Sequence, residues 1–163
     1  MYLTPCGTFN GDIQSSRSTP EQILKYLGKI SGPFLDRIDL QVDVPRQPDA
    51  LRRTSTTSKV TSAHLQQQVI AAQEIQLERQ QCLNHALSPK QLEIVAKLNE
   101  NDHDFLVAAM EKLSLSHRAY HRTLRLARTI ADLNGDLGLN REHLLEALSY
   151  RALDALLTQL RAL

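Results

Sequence analysis

Tryptophan is absent from the 163 residues, and aromatic side chains supply only 4% of them. With Leu, Ala, Gln and Arg plentiful, that composition favours helices over strands. Cysteine is scarce too: Cys6 and Cys82 stand far apart, and neither sits in a paired ligand spacing such as C-x-x-C, so no zinc motif is legible and free thiols in a cytoplasmic setting are expected. No apolar run approaches about 18 residues, which excludes a membrane-spanning helix. The opening MYLTPCGTFN lacks the basic-then-apolar order of a signal peptide. An excess of one charge is missing as well: 19 Lys and Arg face 18 Asp and Glu, so any basic surface must be local. Also lacking are a G-x-x-x-x-G-K-[ST] phosphate loop and any legible pairing of nucleophile and base.

What is present is helical punctuation. Residues 1–18 are turn-rich and read as loop. Thr19-Pro20-Glu21-Gln22 supplies an N-cap, a proline at the first helical position and a glutamine three past the cap, predicting a helix to about Lys29 with Ile23, Leu24, Leu27 and Ile30 as its apolar stripe, stopped by Gly32-Pro33. Ile38, Leu40, Val42 and Val44 then alternate with Asp39, Gln41 and Asp43, the period-two pattern of a strand with one buried face. Pro45 to Lys59, with Pro48 and a Ser/Thr tract, reads as a connector. A long helix is predicted from about Ser62 to Gln81, its inner face near Leu65, Val69, Ala72 and Leu77. Ser88-Pro89-Lys90-Gln91 repeats the capping device and opens a helix to about Leu98. Asn101 or Asp102 opens another through Leu113, Ser114 or Ser116 caps a third reaching Leu133, and Asn140 caps a last one through roughly Leu160. The back half is therefore expected to be a helix bundle with short connections.

Arginines carry what chemistry can be read. Arg37, flanked by Asp36 and Asp39, has two readings: a solvated or locally paired charge, or a guanidinium posed by Gly32-Pro33 and the strand to meet an outside anion, phosphate above all. Arg118, Arg122 and Arg125 share one stripe of the helix after Ser116. Such a stripe is most often a solvated face; its other reading is contact with DNA or other phosphates. Arg118 differs in lying within the first turn, where free amides favour an anion while the dipole disfavours a cation, and this points weakly to a ligand. His117 and His121 stand at i, i+4, but no acidic or cysteine partner has metal-like spacing, so they read as surface histidines and no metal site is expected.

Several longer stretches occur together and in order: PCG (5 to 7), TP-x-Q-I-x-x-Y (19 to 26), K-I-S-G-P-x-L-D-R-I-D (29 to 39), L-S-x-R-A-Y-H-R (115 to 122), A-R-T-I-A-D-L (127 to 133) and E-A-L-x-Y-R-A-L-D (146 to 154). By these the chain resembles the C-terminal part of the magnesium chelatase subunit I-like family, the YifB and ComM group of bacterial AAA+ ATPases. The resemblance implies a mainly α fold: residues 1–45 as a one-strand remnant of the α/β ATPase core, 46–60 as linker and 61–163 as the helical lid domain. It implies that Arg37 is an arginine finger reaching the γ-phosphate held by a neighbouring subunit, and that Arg118 is the sensor-2 arginine of the lid. Arg122 and Arg125 remain candidates for DNA or phosphate contact. Family members form hexameric rings, and the ComM group is regarded as a DNA helicase promoting branch migration.

Walker A and Walker B would lie upstream of Met1, so this chain alone is not expected to hydrolyse ATP; ATP and Mg are expected only in a full ring of AAA+ subunits. Tyr2 stands where the family has the sensor-1 asparagine, and Thr4, Ser16 and Ser18 replace family cysteines, leaving Cys6 alone. The rival reading is a motorless helical module, derived from the same family, that contacts a protein or DNA. An orphan strand without sheet neighbours is expected to be poorly packed or held by contacts with the lid or another chain.

Overall fold

The computed structural model describes residues 18–29, 34, 37–42 and 60–151. The loop at 1–17, the Gly32-Pro33 stop, the far end of the expected strand, the connector at 46–59 and residues 152–163 lie outside the described residues; the last helix, expected through about Leu160, ends at Ser149, where Tyr150 caps it and Arg151 enters an isolated bridge.

Where the sequence carries a capping signal, a helix begins. Helix α1, Pro20–Leu27, opens on Thr19, whose Oγ1 accepts from the Gln22 amide at 3.3 Å while the Gln22 side chain accepts from the Thr19 amide at 3.2 Å. Ile23 and Leu27 of its stripe are buried. Helix α2, Ser62–Gln80, opens on Thr61 and closes on Gln81 in the left-handed region. A short 3₁₀ turn, Asn84–Ala86, leads to α3, Pro89–Ala96, which carries the same reciprocal box between Ser88 and Gln91.

Helix α4, Glu100–Lys112, starts earlier than the sequence suggested: Asn99, not Asn101 or Asp102, accepts the Asp102 amide at 2.8 Å. Asp102 is instead drawn inward, where Arg141 Nε donates to it at 2.9 Å. Ser114, at φ 53°, turns the chain between α4 and α5, and Ser116 caps α5, His117–Asn134, through the Ala119 amide. Gly135 at φ 77° ends α5, where a side chain would be strained. Helix α6, Arg141–Ser149, is capped by Asn140.

The molecule is mainly α, as the sequence indicated, and its organising element is α5. Helices α2, α3 and α6 and the 3₁₀ turn all pack against it. Three alanines, Ala119, Ala127 and Ala131, are wholly buried and let neighbours approach closely, while Leu92, Leu106, Leu124 and Leu144 fill the space between helices. Full burial of each leucine contributes about 1.5–3 kcal/mol.

Two expectations need correction. The segment at 37–42 is not a strand: Gln41 makes one isolated parallel bridge to Arg151, and Leu40 and Val42 are 49% and 65% exposed. A strand exists through a ladder to neighbouring strands, and among the described residues the segment's one bridge is to Arg151, just past the last helix. The inner face of α2 is also narrower than its pattern implied. Ala72 and Gln76 are buried, but Leu65, Val69 and Leu77 are about half exposed, because residues 62–71 carry no buried side chain. Apolar periodicity shows which residues share a face, not whether another element covers it.

Candidate functional site

Four arginines were singled out by sequence, and their surroundings divide them. Arg37 follows Phe34 in a turn closed by its own amide to the Phe34 carbonyl at 3.0 Å, and it is exposed. Arg118 occupies the second position of α5 and is exposed as well. Among the described residues, no side-chain hydrogen bond or ion pair holds either guanidinium. Of the local carboxylates weighed as partners for Arg37, Asp39 is engaged elsewhere.

Its partner is Arg122, at 2.5 Å between Nη1 and Oδ1, an ion pair by distance whose angle does not make it a hydrogen bond. The Arg122 side chain is 19% exposed and that of Asp39 60%. Arg125 turns fully inward: Nε donates to the Asn84 carbonyl at 3.1 Å and Nη2 to the Leu87 carbonyl at 3.0 Å. The Asn84 carbonyl also accepts the Leu87 amide at 3.3 Å, so Arg125 shares one carbonyl of the 3₁₀ turn and takes a second at its exit. The stripe Arg118, Arg122 and Arg125 is thus not one solvated face. Its first member is open, its second holds the 37–42 segment, and its third ties the α2–α3 connection to α5.

Three contacts seat the 37–42 segment on the helical body. Besides Asp39 with Arg122, Arg151 Nη1 donates to the Ile38 carbonyl at 3.1 Å, and the Gln41 amide donates to the Tyr150 carbonyl at 2.8 Å. Arg151 is 2% exposed. The expectation was a segment poorly packed or held by contacts with the lid or another chain; among the described residues it is held by the helical body, through side chains and chain ends rather than a sheet.

Sequence reading missed a buried ionic cluster beneath the site. Asp132, 1% exposed, accepts from Arg79 Nη1 at 2.5 Å and Nη2 at 3.0 Å, from Arg128 Nη2 at 2.8 Å and Nε at 3.1 Å, and from Asn84 Nδ2 at 2.8 Å. Arg128, wholly buried, also donates to the Asp136 carbonyl at 2.6 Å and the Leu137 carbonyl at 3.2 Å, closing the turn after α5. Gln76 and Gln80 complete the shell around Asn84. Burial alone would raise the Asp132 carboxyl, but the bonds from Arg79 and Asn84 and the charge of Arg128 outweigh it and hold that carboxyl below its ordinary value. Burial lowers Arg128 in turn, against the attraction of Asp132. The legible signal was Arg128 and Asp132 at i, i+4 inside the apolar arc of α5, where charges survive only when paired.

His121 lies edge-on to Tyr120, ring centroids 5.2 Å apart, and Tyr120 meets His103 at 6.4 Å. Burial, helped by the charge of Glu93, pushes the Tyr120 phenol up. Among the described residues no three of His, Cys, Asp and Glu converge as a metal site, and no helix is long and apolar enough to cross a membrane.

Comparison with known proteins gives the chain its family. Residues 59–151 match the family described as magnesium chelatase, subunit ChlI C-terminal, and residues 1–51 match magnesium chelatase, subunit ChlI. Competence protein ComM of Haemophilus influenzae is 44% identical over 98% of this chain and 31% of its own length. The Escherichia coli protein YifB is 41% identical over 100% of this chain and 32% of its own length, and a Mycobacterium bovis protein is 31% identical over 93% of this chain. The chain thus spans about a third of the length of these relatives. With its helical body matched from end to end and similarity running through the segment of Arg37, the chain belongs to the magnesium chelatase ChlI-like family that includes ComM and YifB.

Proposed function

We propose that this chain is the nucleotide-responsive C-terminal part of a ComM-like AAA+ ATPase that remodels DNA, with Arg37 as arginine finger toward the neighbouring subunit and Arg118 as the sensor-2 arginine of its own. The partition of the four arginines carries the reading. The two that family resemblance assigns to nucleotide are exposed and not held by other side chains among the described residues, while Arg122 and Arg125 are committed to Asp39 and to carbonyls. A guanidinium that must bridge to a phosphate cannot already be locked to a carboxylate.

Arg118 sits where the amides of the first turn of α5 add to its charge, a setting suited to an anion. ATP with its magnesium, when bound, supplies the phosphoryl group and is held by parts of the ring other than these residues. What this chain contributes is positive charge at two points: one brought across a subunit boundary, one brought by the lid. An arginine offered in this way stabilises charge as it spreads over the transferring phosphoryl, worth about 10³–10⁵ in rate. The reading places the protein in the cytoplasm, in a ring of like subunits, with DNA as the substrate.

The test is ATP hydrolysis by a full-length ring carrying this sequence. Arg37→Ala is expected to cut turnover by about 10³ while nucleotide still binds. Arg37→Ala subunits mixed with subunits disabled in their own phosphate loop are expected to regain activity, since the finger acts on its neighbour. Hydrolysis unaltered by Arg37→Ala would overturn the reading.

A further inference from the structure

Arg118 and Arg122 lie one turn apart on α5, about 6 Å along its axis. Arg122 meets Asp39, and Asp39 is two residues from Arg37. One helical turn and one ion pair therefore separate the two open arginines. The hold is reinforced from the other end of the helical body, where Arg151 Nη1 grips the Ile38 carbonyl and the Tyr150 carbonyl takes the Gln41 amide. Apolar packing contributes little to the attachment, since Leu40 and Val42 are exposed and Ile38 is only half-buried. With Leu40 and Val42 turned out, the named contacts that hold the segment among the described residues are polar.

We infer that Arg122 and Arg151 are positioning residues that fasten the Arg37 segment to the helical domain, so that finger and lid move as one body. The inference rests on the reading of Arg37 and Arg118 given above. Its consequence is directional. Nucleotide met by Arg118 shifts α5, α5 carries Arg122, and Arg122 with Arg151 carries the segment that presents Arg37 to the next subunit. The state of one site is thereby passed to the catalytic geometry of its neighbour without a separate relay. Asp39 is the exposed member of the clasp, so the link is ionic and open to screening by salt.

Amide hydrogen exchange on the full 163-residue chain tests the fastening directly. The Gln41 amide, bonded to Tyr150, reports whether the segment is seated, while the Ala127 and Ile130 amides in mid α5 report on the body. Arg122→Gln and Asp39→Asn are each expected to quicken Gln41 exchange by about tenfold with the α5 amides unmoved. The reciprocal pair Asp39→Arg with Arg122→Asp is expected to restore protection, which a merely structural arginine would not allow. Unchanged Gln41 exchange in both single variants, or failure of the reciprocal pair to restore it, would overturn the inference. If instead Gln41 responds as expected while Arg37→Ala leaves hydrolysis intact in the ring, the fastening stands and the finger reading falls.

Discussion

Arg79 and Asp132 meet side by side, Nη1 on Oδ1 at 2.5 Å and Nη2 on Oδ2 at 3.0 Å, and so join the last turn of α2 to the buried face of α5. Two parallel bonds fix orientation as well as distance. Because Arg128 and Asn84 converge on the same carboxylate, this pair is the hub through which α2, the 3₁₀ turn and α5 hold one arrangement.

Removing the hub is expected to be costly. Asp132→Ala leaves Arg128 buried without its countercharge, and loss of one partner of a buried pair typically costs about 3–5 kcal/mol. Urea unfolding followed by circular dichroism measures it. Arg79, more exposed at 23%, should cost less when replaced by alanine, and a loss for Asp132→Ala no greater than that for Arg79→Ala would contradict the hub.

Acid should act at the same place. The Asp132 carboxyl is held below its ordinary value in the folded chain, so the unfolded chain takes up the proton first as pH falls. Its contribution is therefore complete above the unfolded carboxylate value of about 3.9 and is lost as pH descends from there through the lower folded value. The stability gap between the wild type and Asp132→Asn is expected to hold steady from neutral pH down to about pH 5 and to narrow below about pH 4. A gap independent of pH would show that the ionised form is not what the fold favours.

A stabilising change is available at the end of α3. Lys97 is exposed and held at φ 45°, ψ 48°, a left-handed conformation that costs a residue with a side chain. Lys97→Gly should relieve that strain and raise stability by up to about 1 kcal/mol, less the extra freedom it gives the unfolded chain. A shift of the urea midpoint upward is the expected sign; a fall would mean that the lysine side chain contributes more than its backbone costs.

Helix starts were highly legible because capping is local chemistry. Thr19 with Gln22, Ser88 with Gln91, and Asn140 each act within three residues of themselves. Asn99 escaped notice since Asn101 and Asp102 offer the same oxygens; in the fold the Asp102 carboxylate is taken by Asn99 and Arg141 instead. The 37–42 segment misled for another reason: alternation records which residues face together, whereas a strand also needs a partner that this stretch of sequence does not encode. Among the arginines, spacing put Arg118, Arg122 and Arg125 on one stripe but could not say where long side chains would turn. Asn84, Leu87 and Asp39, which settle it, are far away along the chain. Arg128 and Asp132 offered a local signal, an i, i+4 pair inside the apolar arc of α5, whereas Arg79 and Asn84, which complete the cluster, lie about 50 residues away along the chain.

The first half of α2 bears on how the protein comes apart. With no side chain from Ser62 to Ala71 buried, that length of helix relies mainly on its own backbone bonding and intrinsic preference. It can therefore unravel from Thr61 inward and rewind while Ala72, Gln76 and Arg79 stay anchored, so that heat or a protease meets a gradually shortening rod at this end and an abrupt barrier only at the anchor.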